Sequence, residues 1–514
     1  MSEDDEPTAE QTPATSGGSD EPDGGEEHDG GDTVVRRDRF AGGPARDFLS
    51  SLADDERIFA ADLAVDRAHV VMLAEQGIVD DEDAGEILTA LDDVEDAGHA
   101  ALPDGEDVQE AIESAVIERV GPAGGRMHTA RSRNDEVAAD IRYQLRTDLL
   151  DTIETVTAAR ETLLAVARDE RETVMPGYTH LQSAQPTTVG HWAASYADAL
   201  ARDTGRLLDC YDRVNRNPLG AGAFAGTSFD VDRERTADLL GFDGVVENAT
   251  DAVAGRDVLV ETVGALSALA TTLSNLAEDL IVMASKGHVV VADEYASTSS
   301  IMPQKKNPDT LELVRGRTGD ATGALAGLLT TLKGLPRAYN RDLQRATTHL
   351  WAPLDSVTES VAVATVAVAT AEWPEDVLEA AAGDGFATAT GVADLLAANG
   401  VPFRSAHEVL AAATEAMDGD AQAPDFDTID AVCEDVLGES ITVYVDHDAV
   451  EAALDPVESV AMRDSRGGPA PDAVADSVER SEATLTEHRE ALATRQDAVE
   501  TAADLLAGEV ATYV

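Results

Sequence analysis

A heptad spacing of apolar residues in the middle of the chain constrains the fold more strongly than any other feature of the sequence. Two rows of residues recur every seven positions and lie three or four positions apart: Leu259, Leu266, Leu273 and Leu280, with Thr262, Leu269, Leu276 and Met283. On an α-helix this alternation places both rows along one side. At 1.5 Å per residue, residues 259–283 predict a helix of about 37 Å with a single packing seam.

Long helices are also predicted for the rest of the middle third. The segments 136–172, 188–216 and 310–333 each have helical spacing, and no predicted strands alternate with them. The apolar run VAVATVAVATA at 361–371 is too short to span a bilayer and is interpreted as a buried helix segment. Long helices with small residues between them are typical of a helical bundle, so the predicted fold class is all-α.

Changes in composition along the chain predict four regions. The first 35 residues are rich in glycine, proline, serine and acids with almost no apolar side chains, so they cannot bury enough surface to become ordered. Helical spacing broken by glycine and proline follows, and shorter helices return after the middle third. The predicted regions are a disordered acidic tail at 1–35, an N-terminal helical domain at 36–135, a central long-helix bundle at 136–380 and a C-terminal helical domain at 381–514.

The net charge is strongly negative over the whole chain. Of 514 residues, 100 are acidic and 37 are lysine or arginine, which gives a formal charge of −63. The tail holds twelve acids and no lysine or arginine, so residues 36–514 still carry 88 acids against 37 basic residues, or −51. Molar salt screens such repulsion because it shortens the Debye length to roughly 3 Å. The charge favours a cytoplasmic protein of a salt-accumulating organism and argues against nucleic acid as a partner.

Neither the N-terminus nor the cysteines show a targeting or metal-binding pattern. The start, MSEDDEPTAE, lacks the basic and apolar segments of a signal peptide. Cys210 and Cys433 lie far apart and form no zinc-binding or disulfide spacing. We therefore expect a soluble intracellular protein with no membrane partner, no metal and no cofactor.

One glycine-rich run, PLGAGAFAGT at 218–227, raises the question of a nucleotide site. A dinucleotide fingerprint requires a strand before it and a helix after it, whereas DRVNRNP precedes this run and its glycine spacing is wrong. The glycines are better explained by close approach of the backbone to another helix or to a ligand.

Two short stretches concentrate polar residues where a helical bundle has no structural need of them. HTARSRNDE carries Arg133, Asn134 and Asp135 just before a long helix. Asn134 or Asp135 could instead serve as the N-cap of that helix, with the arginines as surface charge. MPGYTHLQSAQPT holds Thr179 and His180 between two prolines, and the alternative here is an ordinary structural histidine in a loop.

A third stretch, TSSIMPQKKNPDTLEL at 298–313, holds half of the lysines in the chain. Lys305 and Lys306 are two of only four lysines, while arginine supplies the other 33 basic residues. Two adjacent lysines close to Ser299 suggest a site that needs an ammonium group. The first half of the stretch is rich in serine and threonine and is predicted to be a mobile loop, and Pro308 is predicted to begin the next helix.

Together the three stretches offer the groups for an acid–base elimination. The ligands for an anion are Arg133, Lys305 and Asn307. Ser299 supplies a hydroxyl on a flexible loop, His180 supplies an imidazole, and Glu312 supplies a carboxylate that could orient that imidazole. This set suits removal of a proton beside a carboxylate and protonation of a leaving nitrogen or oxygen.

Four motifs resemble those of a known enzyme superfamily. SSIMPQKKNP is similar to the signature of the fumarase/aspartase superfamily, whose members eliminate a group from a succinyl skeleton to release fumarate. PGYTHLQSAQP, TARSRND and LKGLPRAYNRDLQ resemble the argininosuccinate lyase family within it, over about residues 39–480. The resemblance implies a three-domain fold and a homotetramer with a twenty-helix core, in which three subunits form each active site. It also implies reversible cleavage of L-argininosuccinate to L-arginine and fumarate, the last step of arginine biosynthesis.

The resemblance also implies roles for individual residues. His180 and Ser299 are the implied proton-transfer pair. Lys305 is the implied lysine that binds the reacting carboxylate, and Glu312 is the implied partner of the histidine. The implied substrate-binding residues are Ser51, Arg133, Asn134, Thr179, Asn307, Tyr339 and Gln344. Either member of the pair could take the carbon-bound proton. We favour Ser299 as the base, because closure of its loop over the substrate could desolvate and activate it.

The sequence departs from the family pattern at three places. Gln109 stands where the family has a histidine, Thr347 stands where it has a substrate-binding lysine, and RRDRFAGGP replaces the usual WGGRF start. Arg345 or His349 could replace the lysine contact, or the contact is missing. The nearest alternative activities are those of adenylosuccinate lyase, fumarase and aspartase. A non-catalytic relative recruited as a lens crystallin and an acidic binding protein are more distant alternatives.

Overall fold

The structure, a computed structural model, describes residues 45–416 and 423–514. The predicted acidic tail at 1–35 and the RRDRFAGGP segment lie outside the described residues. In the part that is described, α-helices dominate, which confirms the all-α prediction. Their bounds are α1 Arg46–Leu49, α2 Phe59–Glu75, α3 Asp81–Ala97, α4 Val108–Val120, α5 Arg133–Asp169, α6 Val189–Val214, α7 Arg233–Leu240, α8 Ala249–Ala254, α9 Asp257–Lys286, α10 Asp309–Leu332, α11 Trp351–Ala369, α12 Glu375–Gly383, α13 Ala389–Ala398, α14 Phe403–Ala416, α15 Phe426–Leu437, α16 His447–Leu454, α17 Pro456–Ala461 and α18 Pro471–Val510.

The predicted heptad helix is α9, which begins two residues before Leu259 and ends three residues after Met283. All eight heptad residues are buried. The helix packs against α6, α10 and α11, while α5 packs against α6, α11 and α18. The predicted helices at 136–172, 188–216 and 310–333 correspond to α5, α6 and α10, and the apolar run at 361–371 falls largely within α11. The prediction of a bundle of long helices is therefore confirmed.

Two short antiparallel strand pairs interrupt the bundle. Strands β1 (Val174–Thr179) and β2 (Gln182–Thr188) form a hairpin, and β3 (Ser297–Thr298) pairs with β4 (Lys306–Asn307). The sequence analysis predicted neither pair. The hairpin was hard to foresee because Pro176 and Pro186 lie opposite each other in its register, and proline normally argues against a strand.

Two further clusters of buried residues flank the bundle. One joins α2, α3 and α4 and includes Leu63, Ile87 and Ile112. The other joins α13 to α16 and includes Val409 and Ile429. The last helix, α18, packs along α5 and α6 and not within the second cluster. The predicted domain boundaries stay predictions, and this packing supports grouping α18 with the bundle.

Two segments of the described residues are long and apolar enough to cross a membrane, judged by length and composition alone. They are Asp257–Lys286 and Arg341–Ala369, and half of the most apolar window of each is buried inside the structure. Both belong to the packed bundle, since they contain α9 and α11. Core helices of a bundle have the same composition, so the burial explains their apolar character.

Candidate active site

A cavity of about 500 Å³ lies where α4, the start of α5, the start of α9 and the segment after α10 meet. Its walls include five of the predicted substrate-binding residues: Ser51, Arg133, Asn134, Tyr339 and Gln344. Gln109 and Thr347, two of the positions that depart from the family pattern, also line it. Neither Arg345 nor His349 lines it in the described part of the chain. The fold thus brings together residues that are almost 300 positions apart in the sequence.

The cavity presents charged groups of both signs. Arg133 Nη1 lies 3.2 Å from Asp107 Oδ1, and both residues line the wall. The Ser51 hydroxyl donates to Asp55 Oδ2 at 2.8 Å. Burial raises the pKa of Asp55 to about 6, and the bond from Ser51 opposes that rise. A ligand that carries both carboxylates and cationic groups would find partners for each here.

Two arginines that the sequence analysis did not single out also line the cavity. Arg256 is buried, and its Nη1 donates to the carbonyls of Val253 and Gly255 at 3.4 and 3.1 Å. Its Nε and Nη2 have no hydrogen-bond partner among the described residues, and burial lowers its pKa to about 10. Arg341 forms an ion pair with Glu106. A buried guanidinium with free donors is well suited to bind a carboxylate.

The start of α5 holds Arg133 and Asn134 at the cavity. Ser132 is the N-cap: its hydroxyl accepts the Asn134 N–H at 3.4 Å, and its own N–H donates to Asp135 Oδ1 at 2.8 Å. The Asp135 N–H is also directed at the Ser132 hydroxyl, and this contact together with the Ser132 N–H bond to Asp135 forms a capping box. The alternative in which Asn134 or Asp135 is the N-cap is therefore wrong, although Asp135 does take part in the capping.

The glycine-rich run packs against this helix start. The N–H groups of Gly220 and Gly222 donate to Asp135 Oδ2 at 2.9 and 2.8 Å, and Asn134 Nδ2 donates to the carbonyl of Ala223 at 3.0 Å. Both glycines have positive φ, +83° and +61°, a backbone conformation that favours glycine. The expected close approach of this backbone is confirmed, and a carboxylate of the neighbouring helix is what it approaches.

Thr179 and His180 lie at the tip of the β1–β2 hairpin. His180 and Leu181 form its two-residue turn with φ values of +56° and +59°. Turns with two positive φ values normally select asparagine and glycine, so this turn is strained, as residues at functional sites often are. Tyr178 stacks on His288, just beyond α9, with 6.2 Å between ring centroids. The hairpin therefore lies at the end of the bundle where α9 ends.

The loop between β3 and β4 positions the Ser299 hydroxyl. Its Oγ accepts the backbone N–H groups of Ile301 and Met302 at 3.3 and 3.1 Å, and its own N–H donates to the carbonyl of Lys305 at 3.1 Å. Two donors directed at one oxygen stabilise negative charge that develops on it. This arrangement favours a serine that can give up its proton.

The two adjacent lysines have different surroundings. Lys306 Nζ lies 2.6 Å from Asp293 Oδ1, so a neighbouring carboxylate already neutralises it. Lys305 is exposed and makes no ion pair with any residue that the structure describes. Asn307 lies in β4 beside these lysines, and Glu312 is exposed on the first turn of α10. Lys305 is thus the lysine available to an incoming carboxylate.

One chain does not bring the three motifs together. Arg133 begins α5, whose 37 residues span about 55 Å, and the hairpin that carries His180 follows the far end of that helix. The 24 residues of α10 span about 36 Å and separate Ser299, before its start, from Tyr339, beyond its end. In a single chain, His180 and Ser299 therefore lie at the opposite end of the bundle from the cavity.

Two family models match the chain: the lyase model over residues 47–323 and the argininosuccinate lyase C-terminal model over residues 386–461. The argininosuccinate lyase of Haloarcula marismortui is 71% identical over 496 residues, which cover 95% of this chain and 99% of that protein. The argininosuccinate lyase of Methanosarcina acetivorans is 44% identical over 489 residues, which cover 93% of this chain and 99% of that protein. The chain belongs to the argininosuccinate lyase family.

A solved structure of an EDDS lyase in complex with formate has the same fold as this argininosuccinate lyase family member. Its TM-score is 0.82 at 33% sequence identity, and the match covers 91% of this chain and 95% of that chain. The expected fumarase/aspartase-type fold, the lyase class and the likeness to enzymes of halophilic archaea are confirmed by these comparisons. The roles of individual residues and the number of subunits stay predictions.

Proposed function

We propose that this argininosuccinate lyase family member catalyses the reversible elimination of L-argininosuccinate to L-arginine and fumarate, the last step of arginine biosynthesis, in the cytoplasm. The cavity is the observation that carries the proposal. Argininosuccinate has three carboxylates, an ammonium and a guanidinium, and the cavity offers Arg133, Arg256 and Arg341 beside Asp55 and Asp107. This mixed lining suits a large ligand with several charges of both signs better than malate, which has no cationic group, or aspartate, which is smaller and has a single ammonium.

A homotetramer with shared active sites is part of the proposal. The lengths of α5 and α10 keep the cavity apart from the two catalytic motifs of the same chain. In addition, apolar side chains beside those motifs are exposed in the single chain: Leu181 by 69%, Ile301 by 86% and Leu313 by 57%. Isolated exposed apolar side chains are ordinary, but three of them next to the proposed catalytic residues support contact with other subunits. Cavity, hairpin and loop would then come from different chains.

In the proposed mechanism, Ser299 takes the proton from the succinyl carbon next to the carboxylate that Lys305 binds. The electron pair of the C–H bond spreads into that carboxylate. The ammonium group of Lys305, a compact cation, stabilises the added negative charge. Collapse of this charge forms the double bond of fumarate and breaks the bond to the guanidinium nitrogen, which His180 protonates as arginine leaves. Glu312 orients His180, and Thr179 and Asn307 bind substrate.

Three features of the described residues support this assignment of roles. The N–H donors from Ile301 and Met302 favour negative charge on Ser299 Oγ. Lys305 has no competing carboxylate, unlike Lys306. The strained turn fixes His180 at the tip of the hairpin.

The first test measures fumarate release in molar KCl from argininosuccinate, adenylosuccinate, malate and aspartate. We expect turnover with argininosuccinate alone, and preference for another succinyl substrate would contradict the proposal. Ser299→Ala should abolish turnover with little change in substrate affinity. Lys305→Arg should lower kcat by roughly 10²–10³, because it loses a positioned stabilising charge, while Lys306→Arg is the matched control and should be mild.

A mixing experiment tests the shared site separately. Arg133→Ala and Ser299→Ala should each be inactive as purified proteins. If the cavity and the loop of one active site come from different chains, reassembly of an equal mixture should restore about a quarter of the wild-type sites. If one chain supplied both residues, no mixture would regain activity.

A further inference from the structure

Two pairs of carboxylates face each other between α2 and α5. Asp62 and Asp66 lie four residues apart on α2, and Glu136 and Asp140 lie four residues apart on α5, so each pair projects from one side of its helix. One carboxylate oxygen each of Asp62, Asp66 and Glu136 lies within 4.8 Å of the others. Burial raises the pKa of Asp62 well above its usual range, and among charged groups Asp140 contributes most to that rise. Asp140 is thus close enough to act on Asp62, although it is not one of the three residues with mutually close oxygens, and we call these four residues the α2–α5 carboxylate cluster.

The cluster is buried and incompletely paired. All four residues are at most 1% exposed. Both oxygens of Asp62, Oε2 of Glu136 and Oδ1 of Asp140 have no hydrogen-bond partner among the described residues. Buried polar atoms in native proteins almost always have one. These oxygens therefore need a proton or a cation.

The positive charge beside the cluster is not enough to balance it. Arg131 Nη2 lies 2.5 Å from Asp66 Oδ1 and 2.9 Å from Glu136 Oε1, and Gln109 Nε2 donates to Asp140 Oδ2 at 2.8 Å. Arg133 and Arg67 act on Glu136 and Asp66 only from farther away. Among the described residues, Arg131 is the one guanidinium in direct contact with the cluster, and it contacts neither Asp62 nor the unpartnered oxygen of Glu136. A buried carboxylate without a counter-ion is strongly destabilising when ionised.

We propose that the α2–α5 carboxylate cluster binds one divalent cation of the size of calcium. A divalent ion together with Arg131 brings three positive charges to four carboxylates, and one retained proton completes the balance. Calcium has six to eight oxygen ligands at about 2.3–2.6 Å, so ligands on opposite sides of it lie roughly 4.6–5.2 Å apart. The carboxylate oxygens of Asp62, Asp66 and Glu136, which lie within 4.8 Å of one another, can therefore surround a calcium ion.

Other cations fit the cluster less well. Magnesium demands near-ideal octahedral geometry at about 2.0–2.1 Å and usually keeps several waters, which a fully buried set of protein carboxylates does not suit. Zinc and softer metals prefer nitrogen and sulfur ligands. The expectation of no metal site in the sequence analysis rested on the cysteines, and it did not consider acid pairs on two helices.

The position of the cluster gives the cation a structural consequence. Gln109 lines the cavity on one side and bonds to Asp140 on the other. Arg131 and Glu136, which form an ion pair, lie on either side of the cavity residue Arg133 in the sequence. A cation bound here would tie α2 to α5 directly behind the cavity wall, and it would stabilise the chain whether or not substrate is present.

The test uses the full chain, stripped with a chelator and transferred into molar KCl, which suppresses weak cation binding to the acidic surface. Bound calcium is measured by equilibrium dialysis, and Tm is followed over a CaCl2 series. Asp62→Asn removes one cluster charge, and Asp93→Asn, on the exposed side of α3, is the matched control. We expect one calcium per chain and a saturating rise in Tm for the wild type and Asp93→Asn. Asp62→Asn should lose both the bound calcium and the rise in Tm.

Several results would overturn the proposal. If the wild type shows no saturable calcium binding, the unpartnered carboxylate oxygens hold protons and the proposal is wrong. An equal rise in Tm for Asp62→Asn would place the ion elsewhere, and tighter binding of magnesium would overturn the choice of ion. If Asp62→Asn does not fold, Glu136→Gln replaces it.

Discussion

Asp135→Asn tests whether one buried carboxylate holds the wall of the cavity together. The side chain is fully buried and accepts three backbone N–H groups, from Ser132, Gly220 and Gly222. The substitution keeps the shape of the side chain but replaces one acceptor oxygen by an NH2 donor. Whichever way the amide turns, its donor group must face an N–H group of the backbone.

The expected loss of stability follows from these contacts. A hydrogen bond to a charged group contributes about 1.5–3 kcal/mol, and a buried donor left without a partner costs about 1–3 kcal/mol. Burial raises the pKa of Asp135, so its charged form is less favoured than that of an exposed carboxylate. The loss of stability is therefore expected toward the low end of these ranges. With one bond lost and one donor unpaired, we expect a loss of about 2–4 kcal/mol. For a chain of 514 residues that unfolds in one step, this corresponds to a fall in Tm of roughly 2–4 °C.

The assay pairs thermal unfolding with kinetics in molar KCl. Because Asn134 bonds to the same glycine-rich segment, displacement of that segment should also lower kcat/KM, by about 10²-fold for a shift near 1 Å. Asp93→Asn, an exposed acid on α3, should change neither quantity. A variant with wild-type Tm and wild-type kinetics would refute the idea that Asp135 connects the glycine-rich segment to the cavity.

Three further predictions concern salt, pH and Gln109. Below a few tenths molar KCl the chain should dissociate or unfold, because the charge of −51 beyond the tail is then unscreened; light scattering over a KCl series checks this, and a stable tetramer at low salt would contradict it. In chelator, stability should fall as pH rises from about 4.5 to about 8, because folded Glu136 keeps its proton through this range while the unfolded chain loses it. The Tm of Glu136→Gln should vary less with pH. Gln109→Glu removes the donor to Asp140 and adds a charge beside it, so Tm should fall in chelator by more than for Asp93→Asn, and an unchanged Tm would refute the role of this bond.

The sequence by itself determined the long helices and the family. Heptad leucines specify α9 through local spacing, since residues three and four apart share one side of any helix. The three polar motifs likewise pointed to an elimination, because their chemistry depends on which residues are present. The hairpin could not be predicted in this way: its turn residues, His180 and Leu181, adopt a conformation that neither prefers on its own, so the surrounding structure must impose it.

Only the tertiary structure decided which residues share a surface. Arg256 and Arg341 looked like ordinary charges in the sequence, and they became cavity residues when α9 and the segment after α10 met α5. Asp62 and Asp140 are two of 100 acids in the sequence, and they become distinctive only because two helices pack face to face and remove them from water. Burial turns a common side chain into an unpaired charge, and burial depends on contacts between distant segments. For the same reason, the spacing of motifs along the chain did not reveal that α5 and α10 hold the cavity at the opposite end of the bundle from the motifs of His180 and Ser299.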